Sequence, residues 1–282
     1  MTTLTVDILN LQPGTLLMAP AGITTPHDSV DSAKVEGARL VEVLLEPELG
    51  LTALLLEAEG ASARIVHQVS PAADRTSTVV YPEVALAPRR NRYTEASHEL
   101  ALASREIAAA AGGGLEGIKA LVAEAETRFT YAHPEVRFND GSESVPFLAC
   151  GMTPGSCIDI NTYLIASLRA AGFEAGYVYG YFFPRERDGQ THDMHCWVIT
   201  RYHGEILEWD VAHHMKAGLG NTRPGLNPRP GHRIAIGHSL GHRYHTATGQ
   251  TIDLKLLAGP LALSASGSWD KCQLRVSSAR KP

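Results

Sequence analysis

Gly155-Ser156-Cys157-Ile158-Asp159-Ile160-Asn161-Thr162-Tyr163-Leu164-Ile165-Ala166-Ser167-Leu168-Arg169-Ala170-Ala171-Gly172 is the stretch on which the reading of this 282-residue chain turns. Pro154, Gly155 and Ser156 are loop and cap residues, whereas Ile160, Leu164 and Leu168 recur at a spacing of four on one face, so the stretch reads as a buried helix that Gly172 ends. Ser156 with Asp159 three residues later is a variant of the capping box, which makes Cys157 the first helical residue. The first amides of a helix lack backbone partners and carry partial positive charge, so a thiol there has its anion favoured. A free cysteine is more often a packed small hydrophobe. The helix alone therefore does not make Cys157 a reagent; the strands after Gly172 supply the partners that do.

Glu174 to Phe183 reads as a strand and Pro184 to Thr191 as a polar loop. Met194–Thr200 and Glu205–Trp209 read as two further strands joined by Arg201-Tyr202-His203-Gly204. With a four-residue connection Thr200 opposes Glu205, and five residues further along each strand His195 faces Asp210. Directly opposed residues share a face at roughly 5 Å between Cβ atoms, close enough for a carboxylate to accept an imidazole N–H. Beside a thiol such a couple has a defined use: the carboxylate orients the ring, and the other ring nitrogen takes the cysteine proton. His195 alone means little in a chain with 13 histidines, and Asp210 alone could be a strand-end cap. The ordered set of Cys157, His195 and Asp210 carries the weight.

These residues resemble the transglutaminase-like superfamily. The resemblance rests on Gly155-Ser156-Cys157, on Leu168-Arg169-Ala170-Ala171-Gly172-Phe173-Glu174-Ala175 running into Tyr177–Tyr181, on His195-Cys196-Trp197-Val198 and on Glu208-Trp209-Asp210. It is specific over residues 150–212 and weaker outside them, reaching upstream to Tyr93 and downstream to Arg233-Ile234-Ala235-Ile236-Gly237. The resemblance implies an α+β papain-like core, a helix bearing the cysteine packed on an antiparallel sheet, with Cys157, His195 and Asp210 as catalytic triad. Val211 and Cys196 stand where members often have Pro and Ala, which leaves the substrate pocket open.

Forty-four per cent hydrophobic and 20% charged residues are those of a globular protein, and a net charge of −5 offers no basic footprint for nucleic acid or anionic membrane. The amino-terminal residues lack the cationic region of a signal peptide and no apolar run is long enough to span a bilayer, so a cytoplasmic location is expected, with Cys150, Cys157, Cys196 and Cys272 as free thiols.

Before the core, short apolar runs at 3–9, 38–45, 51–56, 64–69 and 78–81, separated by Pro and Gly, suggest a small β-sandwich, although 51–59 could also form a helix. A boundary is expected near Pro88-Arg89-Arg90-Asn91-Arg92, giving a β-rich domain at 1–90 and a catalytic domain with a C-terminal extension at 91–282. Helices are expected at about 95–111, opened by Thr94, and 115–129, divided by Gly112-Gly113-Gly114, and the irregular stretch 133–153 is expected to wall a cleft. Trp197, Tyr181 and His192 are expected substrate neighbours, with core packing the alternative for the two aromatics and His192 the rival to His195 as base. The late histidines, His192, His203, His213, His214, His232, His238, His242 and His245, match no zinc spacing, so no metal or other cofactor is expected.

The expected activity is cysteine-dependent acyl transfer on a peptide, protein, or small amide or thioester substrate. Hydrolysis of a peptide or isopeptide bond ranks ahead of transfer to an amine, because the short bacterial relatives that the resemblance suggests are protease-like. An arylamine N-acetyltransferase-like enzyme shares the order of the triad, but about 150 residues precede Cys157 here and an R-G-G before the cysteine is missing. A binding or assembly protein with a vestigial triad is the alternative of another class.

Overall fold

The structure is a computed structural model describing residues 2–71, 80–192 and 194–280. The amino-terminal part forms β1 (Thr2–Leu9), β2 (Leu16–Pro20), β3 (Asp28–Glu36), β4 (Ala38–Glu46), β5 (Leu51–Ala58) and β6 (Ser62–Pro71). Helices α1 (Glu83–Leu86), α2 (His98–Ala110) and α3 (Gly114–Arg128) follow, then β7 (Phe129–Tyr131), β8 (Thr153–Gly155) and α4 (Cys157–Ala170). The central sheet is built from β9 (Ala175–Pro184), β11 (Met194–Tyr202), β12 (Glu205–Trp209) and β13 (Gly231–His238); β10 (Gln190–Thr191) and α5 (Val211–Ala217) lie between these strands in sequence. The chain ends with β14 (His242–His245), β15 (Thr251–Leu254), β16 (Leu261–Leu263), β17 (Trp269–Lys271) and β18 (Gln273–Arg280).

The expected cysteine helix packs on an antiparallel sheet of order β12-β11-β9-β13. Its stripe of Ile160, Leu164 and Leu168 is fully buried, and so are Tyr163 and Ile165 beside it, because α2 and α3 cover the face turned away from the sheet. A helix apolar on several sides needs such cover. On the other face of the sheet Trp197, Val178 and Ile199 pack with Tyr81, Ala85 and Leu86. The expected helices at 95–111 and 115–129 are α2 and α3; the cap of α2 is Ser97, not Thr94, its hydroxyl accepting the Leu100 amide at 3.2 Å.

Among the described residues the amino-terminal strands belong to two five-stranded sheets, β10-β18-β1-β6-β3 and β17-β16-β2-β5-β4, which enclose Ile8, Leu17, Leu56 and Ile65. Residues 51–58 are a strand and not a helix. The run at 78–81 lies partly outside the described residues, and Val80 and Tyr81 form no strand. β3 escapes a reading by periodicity because Asp28-Ser29-Val30-Asp31-Ser32 carries one apolar residue in five.

The division at residue 90 needs correction. β18 pairs with β1 along its whole length, from Thr2 opposite Arg280 to Leu9 opposite Gln273, and β16 pairs with β2. The C-terminal segment is therefore part of the first β unit and closes what would otherwise be the open edge of β1. β10 extends the same sheet, with Thr191 opposite Val276, so the β unit is joined to the loop just ahead of His195.

Candidate active site

Cys157 is the first residue of α4. The helix start is fixed by Asp159, whose carboxylate accepts the Ser156 amide and the Ser156 hydroxyl, each at 2.8 Å, and the Arg137 guanidinium at 2.8 Å. The amides of Asp159 and Ile160 both return to the Ser156 carbonyl, so the helix itself leaves those of Cys157 and Ile158 without an acceptor. Gly155 is required here: a Cβ at this position would lie 2.5 Å from Cδ1 of Phe129, because β8 runs parallel to β7 under that ring.

His195 lies on β11, and its Nε2 is 2.8 Å from Oδ1 of Asp210. Cys157 and His195 line the same cleft, and His195 and Cys196 are near enough to the Cys157 thiol to lower its pKa. The three expected residues are thus brought together, but not by the expected register. Both central residues of the β11–β12 turn, His203 and Gly204, have positive φ (49° and 82°), the conformation of a two-residue primed turn. Tyr202 opposes Glu205, and Val198 opposes Trp209, a register two residues away from the expected one. A two-residue shift leaves every side chain on its expected face, so Asp210 becomes a diagonal neighbour of His195 instead of a direct one. Asp210 also stands one residue past the end of β12, where it caps α5 by accepting the His213 amide at 3.2 Å.

Asp210 is fully buried and engaged from three sides. Nη2 of Arg233 donates to its Oδ2 at 2.5 Å, and Nδ1 of His213 lies 3.0 Å from the same oxygen. Burial opposes its charge most strongly, yet the positive fields of His195 and Arg233 prevail and hold the carboxyl well below its ordinary range. For His195 burial is again the largest influence and disfavours the cation, but the Asp210 carboxylate and the Cys157 sulfur together raise its pKa. The Cys157 pKa is lowered, first by the hydrogen bond from Cys196, against the desolvation of the site and with His195 adding to the effect. Cys196 moves up, chiefly through burial, and its sulfur accepts a 3.3 Å hydrogen bond from Nδ2 of Asn161. A thiolate at 157 beside an imidazolium at 195 is what these opposing shifts favour.

Two further residues belong to the site. Arg233 on β13 is buried, lies 4.8 Å over the Trp197 ring and donates from Nε to Asn227 at 2.8 Å. His213 stacks on His195 with ring centroids 3.7 Å apart and an angle of 6° between planes. In the sequence Arg233 is simply part of a β-strand pattern and His213 one of many histidines; only the alternation of β13 and the i, i+3 spacing from Asp210 hint at their roles. His195, Asp210 and His213 place ligand-type atoms within 4.8 Å of one another, but the carboxylate already receives the Arg233 guanidinium, whose charge a cation there would meet.

The site opens into a cleft of about 400 Å³ lined by Cys157, His195 and His213. His133 and Arg137 come from the irregular stretch 133–153, which does wall the cleft, while 256–261 and 271–274 bring a second wall from the C-terminal segment. Of the expected substrate neighbours, His192 lines the cleft. Trp197 and Tyr181 do not: Trp197 is in the core, donating to the Tyr81 hydroxyl at 3.4 Å, and Tyr181 is buried behind Gly259 of the cleft wall.

Residues 102–205 match the transglutaminase-like superfamily. The chain carries a transglutaminase-like core. This core contains α4, β9 and β11, with Cys157 and His195, and ends before Asp210 and Arg233. Among curated proteins none matches the sequence. Among solved structures, a Cytophaga hutchinsonii protein provisionally assigned as a cysteine protease is similar at 12% identity and a TM-score of 0.53, over 99% of this chain and 97% of that one. That likeness concerns the fold, and it extends past the transglutaminase-like core to the β unit. The periplasmic domain of TgpA from Pseudomonas aeruginosa is matched at 15% identity and a TM-score of 0.38, over 76% of this chain and 88% of that one. Among the described residues no helix is long and apolar enough to cross a membrane.

Proposed function

We propose that the protein is a cysteine-dependent acyl-transfer enzyme whose Cys157 attacks an amide or thioester carbonyl. The observation that carries this reading is a helix-entrance thiol sharing a cleft with an imidazole whose Nε2 lies 2.8 Å from a buried carboxylate. Nδ1 of His195 would face the sulfur, take its proton, and return it to the leaving group as the tetrahedral intermediate collapses to an acyl-enzyme. The Cys157 amide is suited to stabilise the oxyanion, since the helix supplies it no acceptor. Water then releases the acyl group, with His195 as base, and hydrolysis of a peptide or isopeptide bond is the reading we favour. Similarity in fold to a protein provisionally assigned as a cysteine protease supports that choice over transfer to an amine.

Acylation with p-nitrophenyl acetate tests it. Peptide mapping should find the acetyl group on Cys157, labile to hydroxylamine, and both Cys157→Ala and His195→Ala should abolish rapid acylation. Deacylation in water should outpace transfer to added glycine ethyl ester. An adduct that forms equally fast in His195→Ala would refute the triad, and dominant transfer to the amine would replace the hydrolase by an acyltransferase.

A further inference from the structure

The walls of the cleft carry one sign of charge. Arg137, Lys216, Arg229 and Lys271 line it, together with His133 and His192, and among the described lining residues there is no carboxylate. Two of the four cations are compensated from outside the cleft, Arg137 by buried Asp159 and Arg229 by Glu186. Lys216 is held over the Tyr131 ring, 5.3 Å from its centroid, and the ion pairs among the described residues include neither it nor Lys271. This local excess of positive charge belongs to a chain whose net charge is −5. The remaining lining is apolar, with Phe182, Leu256, Leu261 and Leu274, and low-dielectric walls concentrate the field of the cations into the cleft.

Resting on the acyl-transfer reading, we infer that the cleft takes an anionic substrate, an amide or peptide that carries one or more carboxylates beside the scissile bond. A substrate carboxylate brought near a thiolate is repelled by it, and Lys216 and Lys271, brought to the cleft lining by α5 and β17, offset that repulsion. A lysine or arginine side chain in the same place would meet like charge from the lining. Lys271 comes from the C-terminal segment, so the β unit takes part in choosing the substrate.

The field can be read without knowing the substrate, from the alkylation of Cys157 by iodoacetate relative to neutral iodoacetamide, with exposed Cys150 of the same chain as internal reference. The imidazolium at His195 itself favours iodoacetate, so the comparison is between variants. Lys216→Gln/Lys271→Gln should lower the normalised iodoacetate-to-iodoacetamide ratio at Cys157 roughly threefold or more at low ionic strength. The difference should fade near 1 M salt, where screening acts within about 3 Å. Lys34→Gln/Lys119→Gln, which removes two exposed cations away from the cleft, should leave the ratio unchanged. An unchanged ratio in the first variant, or an equal fall in the second, overturns the inference while the nucleophile stands. A Cys157 that reacts with neither reagent faster than Cys150 removes the acyl-transfer reading and this inference together. On matched fluorogenic peptide amides, glutamate beside the scissile bond should then exceed glutamine and lysine in kcat/KM; a preference for lysine overturns the assignment.

Discussion

Replacing Arg233 by Met takes away the cation that holds Asp210. The guanidinium is 2.5 Å from Oδ2, and the two side chains are 3% and 0% exposed, so water cannot replace it without opening the site. Breaking a buried pair by removing one partner costs about 3–5 kcal/mol. His195 and His213 still face the carboxylate, which places Arg233→Met near the lower end, about 3 kcal/mol. With a urea slope of about 3 kcal/mol per M, the midpoint of denaturation should fall by about 1 M. Arg233→Lys keeps the charge and should recover part of the loss. The sign with pH follows from Asp210, whose folded pKa is depressed: its contribution is fully present above its unfolded value of about 3.9 and is lost as the pH falls through the lower folded value. The gap between wild type and Arg233→Met should therefore be widest near neutrality and narrow below about pH 4. A midpoint shift under about 0.3 M at pH 7 would refute the reasoning. Equal losses in Arg233→Met and Arg233→Lys would do the same, since they would point to contacts with Trp197 and Phe182 in place of charge.

Asp210→Asn preserves shape but no longer fixes the proton on Nε2 of His195, so acylation of Cys157 should slow by roughly 10³–10⁴-fold; a loss below tenfold would show that the carboxylate is dispensable. Val276→Asp buries an unpaired carboxylate opposite Val6 and should cost at least about 3 kcal/mol, read by thermal or urea unfolding, because β18 is integral to the β unit; an effect under about 0.5 kcal/mol would mean that the strand is an appendage. Burial pushes His67, His238 and His242 down to about 4, so unfolded chains bind more protons than folded ones between that value and about 6.5. Stability should fall by several kcal/mol from pH 7 to 4, and His67→Phe should flatten that slope; an identical slope would contradict the role of this histidine.

Much of the site was legible because its signals are local. The i, i+4 stripe of Ile160, Leu164 and Leu168, the Ser156–Asp159 cap and the alternation in β11 each lie within one element, and each has one physical meaning. The pairing of His195 with Asp210 was legible through side-chain parity: the turn is shorter than expected, but an error of two residues keeps the face. Trp197 shows the limit of the same argument. It does share a face with His195, yet at its level that face is closed by Tyr81 and supports Arg233 instead of substrate. Arg233 and His213 were illegible as site residues because their value depends on where β13 and α5 dock, which no periodicity encodes. The return of β18 to β1 is longer in range still, joining the two ends of the chain, and Ser277-Ser278-Ala279 beside it gives no apolar alternation to announce a strand.

The central claim is that the Cys157 sulfur is an anion at neutral pH, and the rate of its alkylation by iodoacetamide across pH, mapped by mass spectrometry with exposed Cys150 as reference, tests it most directly. Cys157 should already react at its plateau rate near pH 7, with a midpoint well below the ordinary thiol value of about 8.5. A midpoint near 8.5 at Cys157 would contradict it.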